Sequence, residues 1–263
     1  MRKEQASKRP RLKDSMIKEY VIAKLKLGWS PEQIVGRLSK DHPNLSISHE
    51  AMYQYIYDKE AHKKNDLIPY LSRAHKKRKF FGQSHTHTKS HIPSRASIKE
   101  RPEFINRHVQ PGHWEIVSIS RQSKKALAVS LERSSRMLLI TKLSAKTSHE
   151  LKRTLTNRLN RYPQRLRRTI TYDNGSENVE HQKINEVLGT KSYFCNSFHS
   201  WEKGSVEYSI GLIRRFLPKK TDFAIISHYQ VKKIENLLNT RPRKCLNFQT
   251  PLENFSSNVA LTG

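Results

Sequence analysis

The sequence has few cysteines, few acidic residues and no long apolar run. Its two cysteines, Cys195 and Cys245, lie far apart and form no Cys-x-x-Cys pair. This argues against a disulfide framework or a structural zinc site and suits a reducing cytoplasm. No apolar stretch approaches the roughly 20 residues that cross a bilayer, and the charged N-terminus has no apolar signal core. We therefore expect a cytoplasmic, nucleoid-associated protein with no membrane partner.

Acidic residues are outnumbered by basic ones. The chain of 263 residues has 50 Lys and Arg against 23 Asp and Glu, a formal net charge of +27. Such a charge attracts phosphate backbones, with an affinity that falls steeply as salt rises. Nucleic acid is therefore the expected partner. A ribosomal or other RNA-binding protein and a merely soluble basic surface are the alternatives from charge alone.

Residues 1–58 predict a small all-α module. Ile17, Val21 and Leu25 recur every four residues on one helical face. Ser30 begins a second helix with capping-box chemistry, and Ser48 can cap a third. Three short helices match a helix-turn-helix DNA-binding module, whose last helix would enter the major groove; a plain helical subdomain is the alternative. The candidate base-reading side chains are Ser48, His49, Glu50 and Gln54.

Residues 59–107 predict a basic linker. A dense run of positive charge at residues 73–79 is followed by Ser, Thr, His and Gly residues. An extended segment of this kind would follow backbone phosphates. Its candidate DNA contacts are Lys76, Lys77, Arg78 and Lys79.

Residues 108–263 predict an α/β core. Short β-prone runs and helical periodicity alternate along it. We expect strands near residues 113–119, 127–131, 137–143, 168–172 and 193–195, and helices near 147–159, 181–188 and 201–217. Three strands followed by alternating helix and strand predict a mixed sheet flanked by helices, of the ribonuclease H type seen in integrase catalytic cores.

Two acidic residues stand out in this core. Asp173 closes a β-prone run, and Glu207 lies in the last predicted helix, with 33 residues between them. A carboxylate at a strand end facing a second one on a later helix can hold a catalytic divalent metal. From the residues alone, a plain Asp-Asn-Gly turn and a solvated helix residue are the alternatives.

Five short motifs resemble those of a known family. The chain resembles the DDE transposases of bacterial insertion sequences, most closely the insertion-sequence-30 type, over residues 12–255. The motifs are GWSPEQI (28–34), PGHWE (111–115), YDNGSE (172–177), WEKGSVE (201–207) and NTRPRK (239–244). By this resemblance, Asp173 and Glu207 correspond to the second and third members of an acidic triad.

The resemblance implies a metal-dependent reaction on double-stranded DNA, both element ends and target. Two Mg²⁺ (or Mn²⁺) ions would serve it, one activating water or a DNA 3′-hydroxyl and the other stabilising the leaving oxygen. Asp173 would bridge the ions and Glu207 would bind one of them. Such recombinases commonly act as multimers, so a homo-oligomer on DNA is expected.

The first member of the triad departs from the family pattern. The family places an Asp two residues after the Glu of the PGHWE motif, whereas this chain has Val117, as if one residue had been deleted. Glu115 is the only nearby carboxylate. It lies on the same strand face as Val117, displaced by roughly 6.5–7 Å, so it would be a poor substitute. We expect an impaired site, with a non-catalytic DNA-binding protein as the alternative to an active transposase.

Family members also usually carry a further helix-turn-helix ahead of the region where this chain begins, so we expect weakened recognition of terminal repeats. Four other basic residues are candidate contacts to the DNA backbone. Lys203 and Arg214 would contact phosphates near the site or pair with acidic neighbours. Arg241 and Arg243 would position the backbone or belong to a basic loop joining terminal helices.

Overall fold

The computed structural model describes residues 12, 14–58, 66–71, 92–120, 125–196 and 200–260, without the side chains of residues 200 and 201. The chain divides into two units. The first contains Met1–Ser84 and Arg241–Thr250, and the second contains His85–Thr240 and Pro251–Gly263. Residues 241–250, which the predicted boundaries assign to the core, thus group with the N-terminal residues. The predicted lysine-rich contacts at residues 76–79 lie outside the described residues.

Three helices form the first unit: α1 (Ser15–Lys26), α2 (Pro31–Asp41) and α3 (His49–Ile56). Local capping explains where they begin. Asp14 accepts a hydrogen bond from the amide of Met16 at 2.7 Å, Ser30 and Gln33 form a reciprocal capping box, and the Ser48 hydroxyl accepts from the backbone at the start of α3. The predicted caps at Ser30 and Ser48 are confirmed.

The first unit has its own apolar core. Val21, Leu25, Ile34, Met52 and Ile56 are all buried there. The four-residue spacing within α1 and the apolar face of α2 place these side chains together, as the periodicity predicts.

The later segment is fixed to the first turn of α2. The Gln33 side chain donates to the carbonyl of Pro242 at 2.7 Å and accepts from Arg241 Nε at 2.8 Å. Lys244 Nζ lies 2.6 Å from the carboxylate of Glu32. Gln33 therefore caps α2 and also holds residues 241 and 242 against the start of this helix.

The second unit is built on a five-stranded mixed sheet. Its strands are β1 (His113–Ser120), β2 (Ala126–Glu132), β3 (Leu138–Leu143), β4 (Thr169–Tyr172) and β5 (Lys191–Phe194). They lie in the order β3-β2-β1-β4-β5. β1 to β3 are antiparallel, whereas β4 and β5 run parallel to β1. The predicted mixed sheet is confirmed.

Helices cover both faces of this sheet. They are α4 (Ser148–Leu159), α5 (His181–Leu188), α6 (Gly204–Phe216), α7 (His228–Asn239) and α8 (Pro251–Ala260). Apolar residues of α4, α5 and α8 pack with Trp114 and Ile116 on one face. Those of α6 and α7 pack with Val117 and Ile119 on the other. Alternation along β1 thus supplies both cores.

The outer edge of β3 has no neighbouring strand and is covered by α7. The amide of Leu138 donates to Asn239 at 2.9 Å, and that of Ile140 donates to Glu235 at 2.6 Å. These side chains replace the missing neighbouring strand and prevent edge pairing with another chain.

Part of the predicted linker belongs to the second unit. Ile92 is buried in the apolar core, Ser97 bridges to Phe194 beside β5, and Arg101 is 8% exposed. Residues 92–107 thus pack within the second unit through a few buried anchors in an otherwise polar sequence. Within the described residues, no helix has the length and apolar character required to span a membrane.

Candidate active site

Position 117 and Asp173 follow the same pair of parallel strands. The ladder between β1 and β4 ends with Glu115 opposite Thr171. Val117 and Asp173 each lie two residues further along the chain, beyond this ladder. The position where the resemblance expects the first acid therefore lies at the same end of the two strands as the second one.

Asp173 is held by the turn that follows β4. One of its carboxylate oxygens accepts from the amide of Gly175 at 3.2 Å and from Asn178 Nδ2 at 2.8 Å. The other lies 3.5 Å from Lys203 Nζ. The side chain is 37% exposed, so it is oriented by the protein yet reachable from solvent.

Lys203 is buried against the acidic position. The residue is 3% exposed, and its Nζ also lies 3.4 Å from the carbonyl oxygen of Ile116. Of the two predicted roles, pairing with an acidic neighbour is the one the structure shows. The Lys203 ammonium lies between the Ile116 carbonyl of β1 and the Asp173 carboxylate.

Glu207 lies exposed in the first turn of α6, four residues after Lys203. At 1.5 Å rise per residue, this separation is about 6 Å along the chain axis. Glu207 therefore lies about one helical turn from Lys203, whose ammonium contacts Asp173.

Glu115 points into the protein instead of towards the acidic position. It is 1% exposed. One carboxylate oxygen accepts a hydrogen bond from Arg133 Nη1, and the other accepts from the amide of Val206 at 3.1 Å. Both carboxylate oxygens of Glu115 therefore already have buried partners within the protein.

The other basic candidates near the core and at the NTRPRK motif also have protein partners. The Arg214 guanidinium is 5.9 Å from the centre of the Phe223 ring and donates weakly to the carbonyl of Pro218. Arg241 and Arg243 are 4% and 6% exposed. Both are therefore packed within the first unit.

The candidates at α3 differ in the hydrogen bonds that their side chains make. Ser48 is used as the helix cap, accepting from the amide of Ala51 at 3.1 Å. His49, Glu50 and Gln54 are exposed, and Gln54 Nε2 lies 3.4 Å from the carboxylate of Glu50. The surface of α3 therefore presents His49 and Gln54 for a contact, whereas Ser48 has a structural role.

The donor set does not fit two catalytic metal ions. Asp173 and Glu207 supply two carboxylates, Val117 supplies none, and Glu115 is engaged by Arg133. Within the described parts of the chain, no group of three or more His, Cys, Asp or Glu side chains could hold an ion. Arg133 was not among the predicted site residues, since only the pairing of β1 with β2 reveals its proximity to Glu115.

A mixed sheet in this order, with carboxylates after its central parallel strand and at the start of a following helix, defines a ribonuclease H-like core of the DDE recombinase class. No family model matches the chain. It is 37% identical to the transposase for insertion sequence element IS4351 of Bacteroides fragilis, over 97% of this chain and 77% of the relative.

Two other relatives agree. The transposase for insertion sequence element IS1086 of Cupriavidus metallidurans is 36% identical over 86% of this chain and 68% of the relative. Transposase InsI for insertion sequence element IS30A of Escherichia coli is 34% identical over 94% of this chain and 66% of the relative. The chain belongs to the DDE transposases of the IS30 type.

Proposed function

We propose that this protein binds insertion-element DNA and that its acidic site is too incomplete to cleave it. The observation that carries the proposal is the pairing of Glu115 with Arg133 beside a valine at position 117. Together they leave Asp173 and Glu207 without a third carboxylate.

DNA binding is supported by three observations. The relatives are named as insertion-sequence transposases, the net charge is +27, and the first unit carries three short helices with tight connections. We assign these helices to a helix-turn-helix module in which α3 enters the major groove and His49 and Gln54 contact bases. The partner is double-stranded DNA at element ends and target, bound by a homo-oligomer in the cytoplasm at the nucleoid.

The family chemistry supplies Mg²⁺ or Mn²⁺ to the acidic triad. Asp173 and Glu207 alone would bind one such ion weakly, so metal binding would not establish turnover. The Lys203 ammonium already provides Asp173 with a positive partner at 3.5 Å. No strand transfer is assigned to this site.

An active transposase is the second candidate, and the retention of Asp173 and Glu207 favours it. Incubating the full chain with the terminal DNA of its element and Mg²⁺ or Mn²⁺, alongside Asp173→Ala and Glu207→Ala, separates the two. Binding without cleavage in all three proteins supports the proposed function. Cleavage by the unmodified chain that both substitutions abolish supports the second candidate.

A further inference from the structure

A cleft of about 530 Å³ lies in the second unit, next to the acidic site. Three cationic side chains and two carboxylates line it: Lys99, Arg101, Arg133, Glu115 and Glu202. The function proposed above uses Glu115 and Arg133 only as an internal pair, which leaves the remaining charges without a role.

Both carboxylates of the cleft are already engaged. Glu115 accepts from Arg133 and from the backbone of α6. Glu202 accepts from the amide and the side-chain nitrogen of Asn196, at 2.8 and 2.7 Å. Neither forms an ion pair with Lys99 or Arg101 among the described residues.

Arg101 is a buried cation whose hydrogen-bond partners are neutral. Its guanidinium donates to Thr171 Oγ1 at 3.0 Å and to Asn106 Oδ1 at 2.6 Å. Within the part of the chain that the structure describes, its Nε is buried without an acceptor, as is that of Arg133. Burial, reinforced by the nearby Arg133, lowers the pKa of Arg101. The carboxylates of Glu115 and Glu202 also act on Arg101, but both are hydrogen-bonded elsewhere, so an anion in the cleft would complete the pairing of this buried charge.

We propose that the cleft binds a phosphate group of a nucleic-acid backbone through Arg101 and Lys99. The planar guanidinium suits phosphate oxygens, and the exposed Lys99 adds charge at the cleft. Thr171 of β4, which contacts Arg101, precedes Asp173 by two residues, or roughly 6.5–7 Å of extended chain. A phosphate held there would set the position of the backbone relative to Asp173. That the phosphate belongs to DNA rests on the proposed function. That the cleft binds phosphate does not depend on it.

Inorganic phosphate is the first probe. We expect the melting temperature of the full chain to rise in sodium phosphate relative to sodium chloride of equal ionic strength. Arg101→Met and Lys99→Gln should each remove at least half of this rise, and Arg101→Lys should restore most of it. Lys183→Gln is the matched control, because Lys183 is 63% exposed on α5, which packs on the opposite face of the sheet. Lys99→Gln, at an exposed position, keeps the test decisive if Arg101→Met does not fold.

DNA is the second probe. Each phosphate contact contributes a slope of about 0.9 to the dependence of log K on log salt for duplex DNA. Arg101→Met and Lys99→Gln should each reduce that slope by about 1, whereas Lys183→Gln, away from the cleft, should leave it as in the unmodified chain. Cleft variants that match the unmodified chain in both assays would overturn the cleft proposal and leave the proposed function standing. If phosphate raises the melting temperature through Arg101 and Lys99 but the chain binds no DNA, the phosphate site is supported and the proposed function is overturned.

Discussion

Arg133 and Glu115 form a buried ion pair across neighbouring strands β1 and β2, with side chains 5% and 1% exposed. The pair occupies the carboxylate that would otherwise be nearest to the vacant acidic position at Val117. Because the Glu115 carboxylate is used in this ion pair, it stabilises the fold and is not available as a metal ligand.

The pair should be strongly coupled in stability. Arg133→Met leaves the Glu115 carboxylate buried without a cation, and we expect a loss of about 3–5 kcal/mol in the free energy of unfolding. The double substitution Glu115→Met with Arg133→Met should cost less than the sum of the single ones, because no buried charge remains. Urea unfolding of the four proteins measures the coupling. Lys244→Met, at an ion pair with Glu32 whose side chains are 71% and 58% exposed, is the control and should change stability far less. Simple additivity would contradict the role assigned to the pair.

Stability should fall as the pH is lowered, in part through His108. Burial, together with Arg133 and Arg136, lowers the pKa of His108 to about 4. The unfolded chain, with an ordinary histidine pKa near 6.5, therefore binds the proton first, so this contribution is complete above about pH 6.5 and is lost towards pH 4. After allowance for solvent screening, we expect a loss of order 1–2 kcal/mol. Unfolding free energies across this range should have a smaller pH slope in His108→Gln; an unchanged slope would contradict the assignment.

Gly36 on α2 should resist substitution because of Phe248. A methyl group at position 36 would overlap the Phe248 ring, and Phe248 has a backbone φ of 59°. We expect Gly36→Ala to cost about 1–3 kcal/mol, as overpacking does. Gly211→Ala in α6 is the control, because an added methyl meets no atom within 4 Å there, and helix propensity should make it neutral or stabilising by roughly 0.5–1 kcal/mol. Thermal unfolding of both variants checks this; equal effects would show that the Phe248 contact is unimportant.

The exposed face of α3 should carry the DNA recognition of the first unit. His49→Ala and Gln54→Ala should each weaken binding to element-end DNA by about 1–3 kcal/mol, since each removes one side chain from the groove. Gln182→Ala is the matched control, an exposed glutamine on the equally short α5. Binding titrations at one fixed salt concentration provide the comparison. If the α3 variants bind DNA as tightly as the control, the assignment of a helix-turn-helix module is contradicted.

The sequence predicted most features that depend on neighbouring residues. Ser30 and Ser48 cap helices through groups two or three residues away, so their roles are visible in the local pattern. The alternation in β1 and the Asp-Asn-Gly turn after β4 are local in the same sense. These signals located the sheet and the acidic residue at its end.

The burial of several cations and the identity of their partners were not predicted from the sequence. Lys203, Arg241 and Arg243 have the composition of a solvated basic surface, yet each is at most 6% exposed. Burial of a cation requires a partner from another segment, such as Asp173 for Lys203 and Gln33 for Arg241. Sequence spacing carries no signal for such partners.

The structure also refines how the acidic site could be repaired. An Asp inserted between Ile116 and Val117 would turn Val117 and Ile119 to the opposite face of the sheet, and both belong to the core beneath α6 and α7. Val117→Asp adds the carboxylate beside Asp173 without that shift, and Val117→Asn adds the same shape without the charge.

Counting bound Mn²⁺ by electron paramagnetic resonance tests the incomplete acidic site most directly. The titration compares the unmodified chain, Asp173→Ala, Val117→Asp and Val117→Asn. We predict at most one weakly held ion that depends on Asp173 in the unmodified chain, tighter binding in Val117→Asp and no gain in Val117→Asn. Two tightly held ions in the unmodified chain, both lost in Asp173→Ala, would contradict the account.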